Sequence, residues 1–164
     1  SLEIVSRIKE FGVIPVPQPI FLWGEGESYL VGLEEERTDW AYPVKTWMDA
    51  GITVALSSDC PATSGSELVS PLLGIHVAVN RKTDAGNDVG PGQKVGVEEA
   101  IKGYTLNSAF ATFEEDNRGS IEPGKLADLV VLTEDPITVD PGTIKDIKVD
   151  ITIVGGKIAF RRMP

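Results

Sequence analysis

One cysteine, Cys60, and one histidine, His76, are all that this 164-residue sequence contains of the two side chains that most often build metal sites. A single cysteine excludes an internal disulfide and suits a reducing compartment such as the cytoplasm. A single histidine excludes any multi-histidine zinc site assembled from this chain alone. Positive charge is also scarce: 15 Lys and Arg stand against 25 Asp and Glu, a formal net charge of −10. Binding nucleic acid requires a basic surface that displaces counterions, so nucleic acid is excluded as a partner, and anionic membranes are disfavoured on the same ground. No apolar run approaches the ~20 residues of a membrane span. The opening SLEIVSRIKEFGV lacks the basic-then-apolar order of a signal peptide. It begins with Ser rather than Met, so residue 1 can be a cut point.

With 41% hydrophobic and 24% charged residues, the remainder is the composition of a globular domain with at least one real core. Leu2, Val5, Ile8 and Phe11 recur at helical spacing, with Gly12 as the stop. VIPVPQPIFLW (13–23) reads as extended, because prolines at 15, 17 and 19 exclude a helix; a short strand over 13–16 leaves its sheet near Pro17. Residues 24–42 read as a lid-like loop with some helix. A helix then begins near Pro43 and ends at Gly51, followed at once by the strand TVALSS.

After a loop from Pro61, Ser70 and Pro71 open a helix with Leu72, Ile75 and Val79 on one stripe. A Gly- and Asp-rich loop leads to one or two further helices over 97–113, with Glu98 and Glu99 at the first N-terminus and Thr105 as a cap for the second. From Gly119 the pattern becomes β: a short strand, a Pro-Gly turn, the run Leu126–Leu132, and a hairpin around Gly155-Gly156. The boundary falls near 114–119, giving α/β over 1–116 and a small antiparallel β piece over 117–164.

The chemistry-bearing candidate is Asp59. In parallel α/β barrels the loops after the strands' C-terminal ends build the active site, so a carboxylate delivered there by a hydrophobic strand is a functional candidate. Capping a turn or pairing with a basic neighbour is the bland alternative. Cys60 would need a base to act as a nucleophile, and His76 falls on the apolar stripe of the next helix, where a packed histidine is expected. GEG at 24–26 fails as a dinucleotide fingerprint because Tyr29 replaces the third glycine; DAGNDVG fails as a calcium loop because Val95 stands where a bidentate Glu is needed. SSDC lacks the glycines of a nucleophile elbow. Glu34 to Glu36 read as a solvated face. Arg37, Trp40 and Trp47 precede the TVALSS strand, with packing or surface roles as the economical reading.

Five blocks occur in order: DAGITVALSSDCPA, PLLGIHVAVNR, VEEAIKGYTLNSAFA, GSIEPGKLADLVVL and ITIVGGKI. Together they resemble the C-terminal part of the amidohydrolase superfamily, particularly its amidohydrolase-3 type, from about Gly12 to Phe160. The resemblance implies the last two β/α units of a TIM barrel, with 13–19 as strand seven and 53–58 as strand eight, plus the C-terminal share of a composite β-sandwich. It implies that Asp59 is both a ligand of, or faces, a catalytic divalent metal, usually zinc, and a general acid/base. The implied reaction is hydrolysis of carbon–nitrogen bonds in amides, cyclic amides, ureas or amidines of small-molecule substrates.

A complete barrel needs about 250 residues, and the family's His-x-His pair and later histidines have no counterpart here. One carboxylate falls short of the three protein ligands of a catalytic zinc. The chain is thus expected to bind no metal tightly and to be inactive by itself. It is also expected to associate, as a homo-oligomer or with the missing N-terminal portion, because torn strands leave open edges unless local rearrangement covers them. The alternative of another class is a non-catalytic protein-interaction module derived from the same fold. A third, a cysteine enzyme using Cys60, would be discarded by unchanged chemistry after alkylation.

Overall fold

Two extended segments, residues 13–18 and 52–58, lie side by side and run in the same direction. Ala55 N–H donates to Pro15 O at 3.1 Å and Ser57 N–H donates to Pro17 O at 3.2 Å. A regular parallel ladder would answer each bond with a return bond, from the N–H of residue 17 to Ala55 O and from that of residue 19 to Ser57 O. Both positions are proline and have no N–H to give. The pairing is therefore a half ladder: direction and register of a parallel sheet, without its second set of bonds.

The computed structural model describes residues 1–60 and 69–163, the side chains of Glu35 and Glu36 aside. The loop expected from Pro61 lies at 61–68, outside the described residues, and so does the solvated-face reading of Glu35 and Glu36. Seven helices occur among the described residues: α1 (Leu2–Glu10), α2 (Phe21–Gly32), α3 (Glu35–Thr38), α4 (Val44–Asp49), α5 (Pro71–Asn80), α6 (Val97–Tyr104) and α7 (Leu106–Ala111). A 3₁₀ helix, Pro141–Asp146, crosses α5. Strands β1 (Leu129–Leu132), β2 (Val149–Val154) and β3 (Lys157–Arg161) form an antiparallel sheet in the order β1-β2-β3.

The local signals explain most of these. Ser70 Oγ accepts from Leu73 N–H with Pro71 at the first helical position of α5. At the start of α6 the Glu99 carboxylate accepts the Gly96 N–H at 2.8 Å. Gly155 and Gly156, at φ 55 and 76, make the two-residue β2–β3 turn. Thr105 does not cap α7 with its side chain; its hydroxyl donates back to Ile101 O at 2.8 Å.

Three expectations are corrected. The region 21–32 is a helix, not an extended stretch leading into a loop. Its glycines suggested a loop, yet Gly26 is what lets α2 pack: a Cβ there would stand 2.5 Å from Thr83 Cγ2. No strand forms between Gly119 and Leu126; β1 begins at Leu129. The α1 stripe is buried at Val5 and half-buried at Ile8, while Leu2 and Phe11 are each 69% exposed.

One core cluster joins Val44, Val54, Leu56, Ile75, Ala78, Val95, Ala100 and Ile144, with Trp47 packed against it. A second joins Ile20, Leu22, Leu73, Val77 and Val89. The segment 52–58 thus brings Val54 and Leu56 into the first core. Its other edge is covered, the alternative to open edges. Leu56 N–H donates to Gly103 O at 2.9 Å, Asn107 Nδ2 donates to Val54 O at 2.9 Å, and Ser108 Oγ lies 3.5 Å from Leu56 O. The α6–α7 corner takes the bonds a neighbouring strand would take.

Candidate active site

Asp59 sits where the half ladder ends. The segment rises through buried Val54, Ala55 and Leu56 to half-buried Ser57 and Ser58, and then exposes Asp59 and Cys60. Because the two segments run parallel, Gln18 and Asp59 emerge at the same, C-terminal, end. Gln18 Nε2 donates to Ser57 Oγ at 3.0 Å, a polar clasp across the two strand ends. From the far side the Tyr104 hydroxyl approaches Ser57 O at 3.4 Å.

Asp59 adopts φ 55, in the left-handed region that non-glycine residues seldom occupy, though Asp does so more readily than most. Tyr42 (φ 53) and Arg81 (φ 55) share that conformation. Tyr42 and Arg81 are connected. Arg81 is 1% exposed and spends its guanidinium on main-chain oxygens: Nε on Val89 O at 2.9 Å and Gly90 O at 3.1 Å, Nη2 on Ala41 O at 2.9 Å, Nη1 on Tyr42 O at 3.3 Å. Burial pulls its pKa down to about 10, opposed by the nearby charge of Asp39. Gly90 makes room for this, since a Cβ there would stand 2.6 Å from Arg81 Nη2.

The Tyr42 hydroxyl lies 3.2 Å from the Tyr29 hydroxyl, with the rings edge to face at 6.2 Å. Burial pushes the Tyr42 phenol well above the usual range, reinforced by the Tyr29 hydrogen bond and by the negative charges of Glu25 and Asp59.

His76 plays no part there. It is 4% exposed, its Nδ1 donates to Pro141 O at 3.2 Å, and its ring meets Trp23 edge to face at 5.5 Å. Its ring is thus packed between Pro141 and Trp23, and Cys60 is an exposed free thiol. Among the described residues no group of three or more His, Cys, Asp or Glu comes together as a metal cage. Asp59 alone does not fit a metal. No helix among the described residues is long and apolar enough to cross a membrane.

Gln18, Tyr42 and Arg81 escaped the sequence reading. Gln18 had a signal, as the polar residue ending the first extended run just as Asp59 ends the second. The other two depend on a left-handed backbone and a long-range tie that no local pattern announces.

A family profile, the amidohydrolase family, matches residues 3–160. The chain belongs to the amidohydrolase family. It is 35% identical over 159 residues to an N-substituted formamide deformylase from Arthrobacter pascens, covering 96% of this chain and 28% of that protein. It is 37% identical over 158 residues to an imidazolonepropionase from Bacteroides fragilis, covering 94% of this chain and 31% of that one. Among solved structures, a metal-dependent hydrolase from Pyrococcus furiosus superposes with a TM-score of 0.66 at 34% identity, over 83% of this chain and 26% of that one. This amidohydrolase chain thus spans under a third of the length of these relatives.

Proposed function

We propose that this chain is the C-terminal part of a hydrolase that cleaves non-peptide carbon–nitrogen bonds in small molecules, with Asp59 as its proton carrier. The observation behind this is the placement of Asp59: a carboxylate exposed at the shared C-terminal end of two parallel segments, in a chain of the amidohydrolase family. The two segments are read as the seventh and eighth strands of a TIM barrel, within a unit covering 1–116. The β1–β3 sheet, within 117–164, is read as the C-terminal share of a small sandwich. Hydrolysis of an amide-like bond forms a C–O bond from water and breaks C–N. The Asp59 carboxylate accepts the proton that the attacking water loses and returns it to the departing nitrogen, so the acid and the amine leave with the charges balanced.

The family and the Pyrococcus furiosus hydrolase both support a divalent metal, with zinc as the proposed ion. Among the described residues Asp59 is the one assigned toward it; the other ligands are assigned to polypeptide outside this chain, and the chain alone is proposed to be inactive. Association with that polypeptide or with a second copy, and a cytoplasmic setting, belong to the same reading.

The test is hydrolysis by the full-length protein. Release of amine from N-butylformamide or of acid from a cyclic amide, lost on chelation and restored by a divalent cation, supports the reading. No cleavage of formamides, cyclic amides or ureas by well-folded, metal-supplied protein would contradict it.

A further inference from the structure

We propose that the cavity between α5 and the 3₁₀ helix Pro141–Asp146 is a binding site for a small organic ammonium ion, held by His76 Nε2 and the Asp84 carboxylate beside Trp23. The cavity holds about 430 Å³, and Asp59 is not among the residues that line it.

His76 lines this cavity while only 4% exposed, and the proton of its neutral ring can be placed. The Asn80 side-chain amide has two protons, and carbonyls take both: Pro141 O at 2.8 Å and His76 O at 2.9 Å. None is left for His76 Nδ1, 3.2 Å away. Pro141 O, also 3.2 Å from Nδ1, can only accept, so Nδ1 carries the proton. Nε2 is left with a lone pair, and among the described residues nothing donates to it. Glu115 Oε2 is the sole fully sealed side-chain polar atom without a partner among the described residues, so Nε2 has an opening, and the cavity provides it. Burial holds the imidazole below its ordinary pKa and keeps that lone pair free of a proton at neutral pH. Packing explains the contacts with Pro141 and Trp23. It does not explain an acceptor left open on a cavity wall, which is costly unless something donates to it.

The charges on the cavity wall select the ligand. Two lysines line it, and each is already paired with a carboxylate that does not: Lys82 with Asp88 at 3.3 Å and Lys145 with Asp146 at 3.0 Å. Two carboxylates line it as well. Asp140 Oδ1 accepts the Gly142 N–H at 2.7 Å, which leaves its other oxygen. The exposed Asp84 side chain has no hydrogen bond or ion pair among the described residues. The uncommitted side-chain groups are therefore acceptors: the imidazole lone pair, the Asp84 carboxylate and one oxygen of Asp140. A ligand that answers them brings N–H donors and a positive charge. Trp23 offers its ring to the ligand's apolar stem or to the cation itself.

A metal ion suits this wall less. Among the described residues no three His, Cys, Asp or Glu converge closely enough to hold an ion, so His76, Asp84 and Asp140 are too dispersed to share one. They suit a molecule long enough to span the cavity. The elements around it are tied together without any ligand. Asn80 and His76 both bond Pro141 O, joining α5 to the 3₁₀ helix, and Asp84 N–H donates to Trp23 O at 3.0 Å. The site is preformed, which lowers the ordering cost of binding.

The experiment is isothermal titration of the full-length protein at neutral pH with phenethylamine, repeated with the neutral 2-phenylethanol and the anionic phenylacetate. The amine is expected to bind with a Kd of about 1 mM or tighter, the alcohol at least about 10-fold more weakly, and the carboxylate not at all. Asp84→Asn changes an exposed residue without changing its size, so the fold is retained, and amine binding is expected to weaken about 10-fold. His76→Asn keeps a donor for Pro141 O near the place of Nδ1 and removes Nε2; a loss of about 5-fold or more is expected. His76→Gln, which keeps an acceptor near the place of Nε2, is expected to lose less. Amine binding unchanged in Asp84→Asn or in His76→Asn would overturn the proposal, and so would equal binding of all three probes. No uptake of the amine at about 10 mM would leave Nε2 to water and overturn it too. Zinc or manganese binding that both variants abolish, with no amine binding, would overturn it in favour of a metal. None of these outcomes depends on hydrolysis or on Asp59.

Discussion

The guanidinium of Arg81 donates to the carbonyl of Tyr42 at 3.3 Å, joining two left-handed residues 39 positions apart in sequence. The same side chain serves Ala41, Val89 and Gly90, so its loss strands several buried acceptors at once. Arg81→Met, which keeps much of the volume, is expected to cost about 3 kcal/mol or more of folding stability. Denaturant titration of this chain checks it. A midpoint within about 0.5 kcal/mol of wild type would show that the tie contributes nothing.

The α6–α7 corner presses against the segment that carries Asp59, and Gly103 is the point of closest approach. A Cβ at Gly103 would stand 2.7 Å from Leu56 Cγ, whereas one at Gly32 meets nothing within 4 Å. Gly103→Ala is therefore expected to destabilise the chain by about 1–3 kcal/mol through overpacking. Gly32→Ala is expected to be neutral or slightly stabilising. Thermal melts of the two proteins distinguish them.

Acid should weaken the fold in two windows. Burial holds the His76 imidazole below its ordinary 6.5, helped by Lys145 and opposed by the bond to Pro141 O and the charge of Asp146. Between that lowered value and 6.5 the unfolded chain carries the proton and the folded chain does not. Stability therefore rises with pH across this window and is lost as pH falls through it. The Glu27 carboxylate, lowered by hydrogen bonds from Thr83 and Asn87, and that of Asp88, lowered chiefly by Lys82, add a second loss below about pH 4. His76→Gln is expected to flatten the upper window and leave the lower one. An unchanged slope between pH 6.5 and 5 would contradict this.

The sheet leaves large apolar side chains uncovered: Val130 is 58% exposed, Val154 56%, Ile158 55% and Phe160 49%. Val130 and Phe160 both pair with Thr152 and so share one face of the sheet, and exposed apolar patches mark surfaces that meet another polypeptide. Since the edge of 52–58 is occupied by the α6–α7 corner, association is expected through this sheet. Light scattering across a dilution series should show mass rising with concentration, and Phe160→Lys should reduce it. A constant monomer mass would end that expectation.

Local signals carried much of this fold. The Ser70-Pro71 start, the Gly155-Gly156 hairpin and the helix over 97–104 were legible because each rests on neighbours in sequence. α2 was not, since Gly24, Gly26 and Gly32 read as loop while the reason for Gly26 lies in Thr83, far along the chain. The half ladder was legible in part: three prolines foretold missing donors, but only the structure shows that residues 17 and 19 are the two the return bonds require. The placement of Asp59 was legible, exposed at the end of an apolar extended segment. Tyr42 and Arg81 were not, because their roles arise from backbone torsion and from bonds across 39 and 40 residues.

The most direct test of the account is replacement of Asp59 by Asn in the full-length protein, with amide hydrolysis and folding stability measured together. An exposed side chain at φ 55 tolerates Asn, so stability should stay within about 0.5 kcal/mol, while the hydrolysis rate falls by at least about 100-fold. A variant that keeps its full rate would contradict the assignment of Asp59 as the proton carrier.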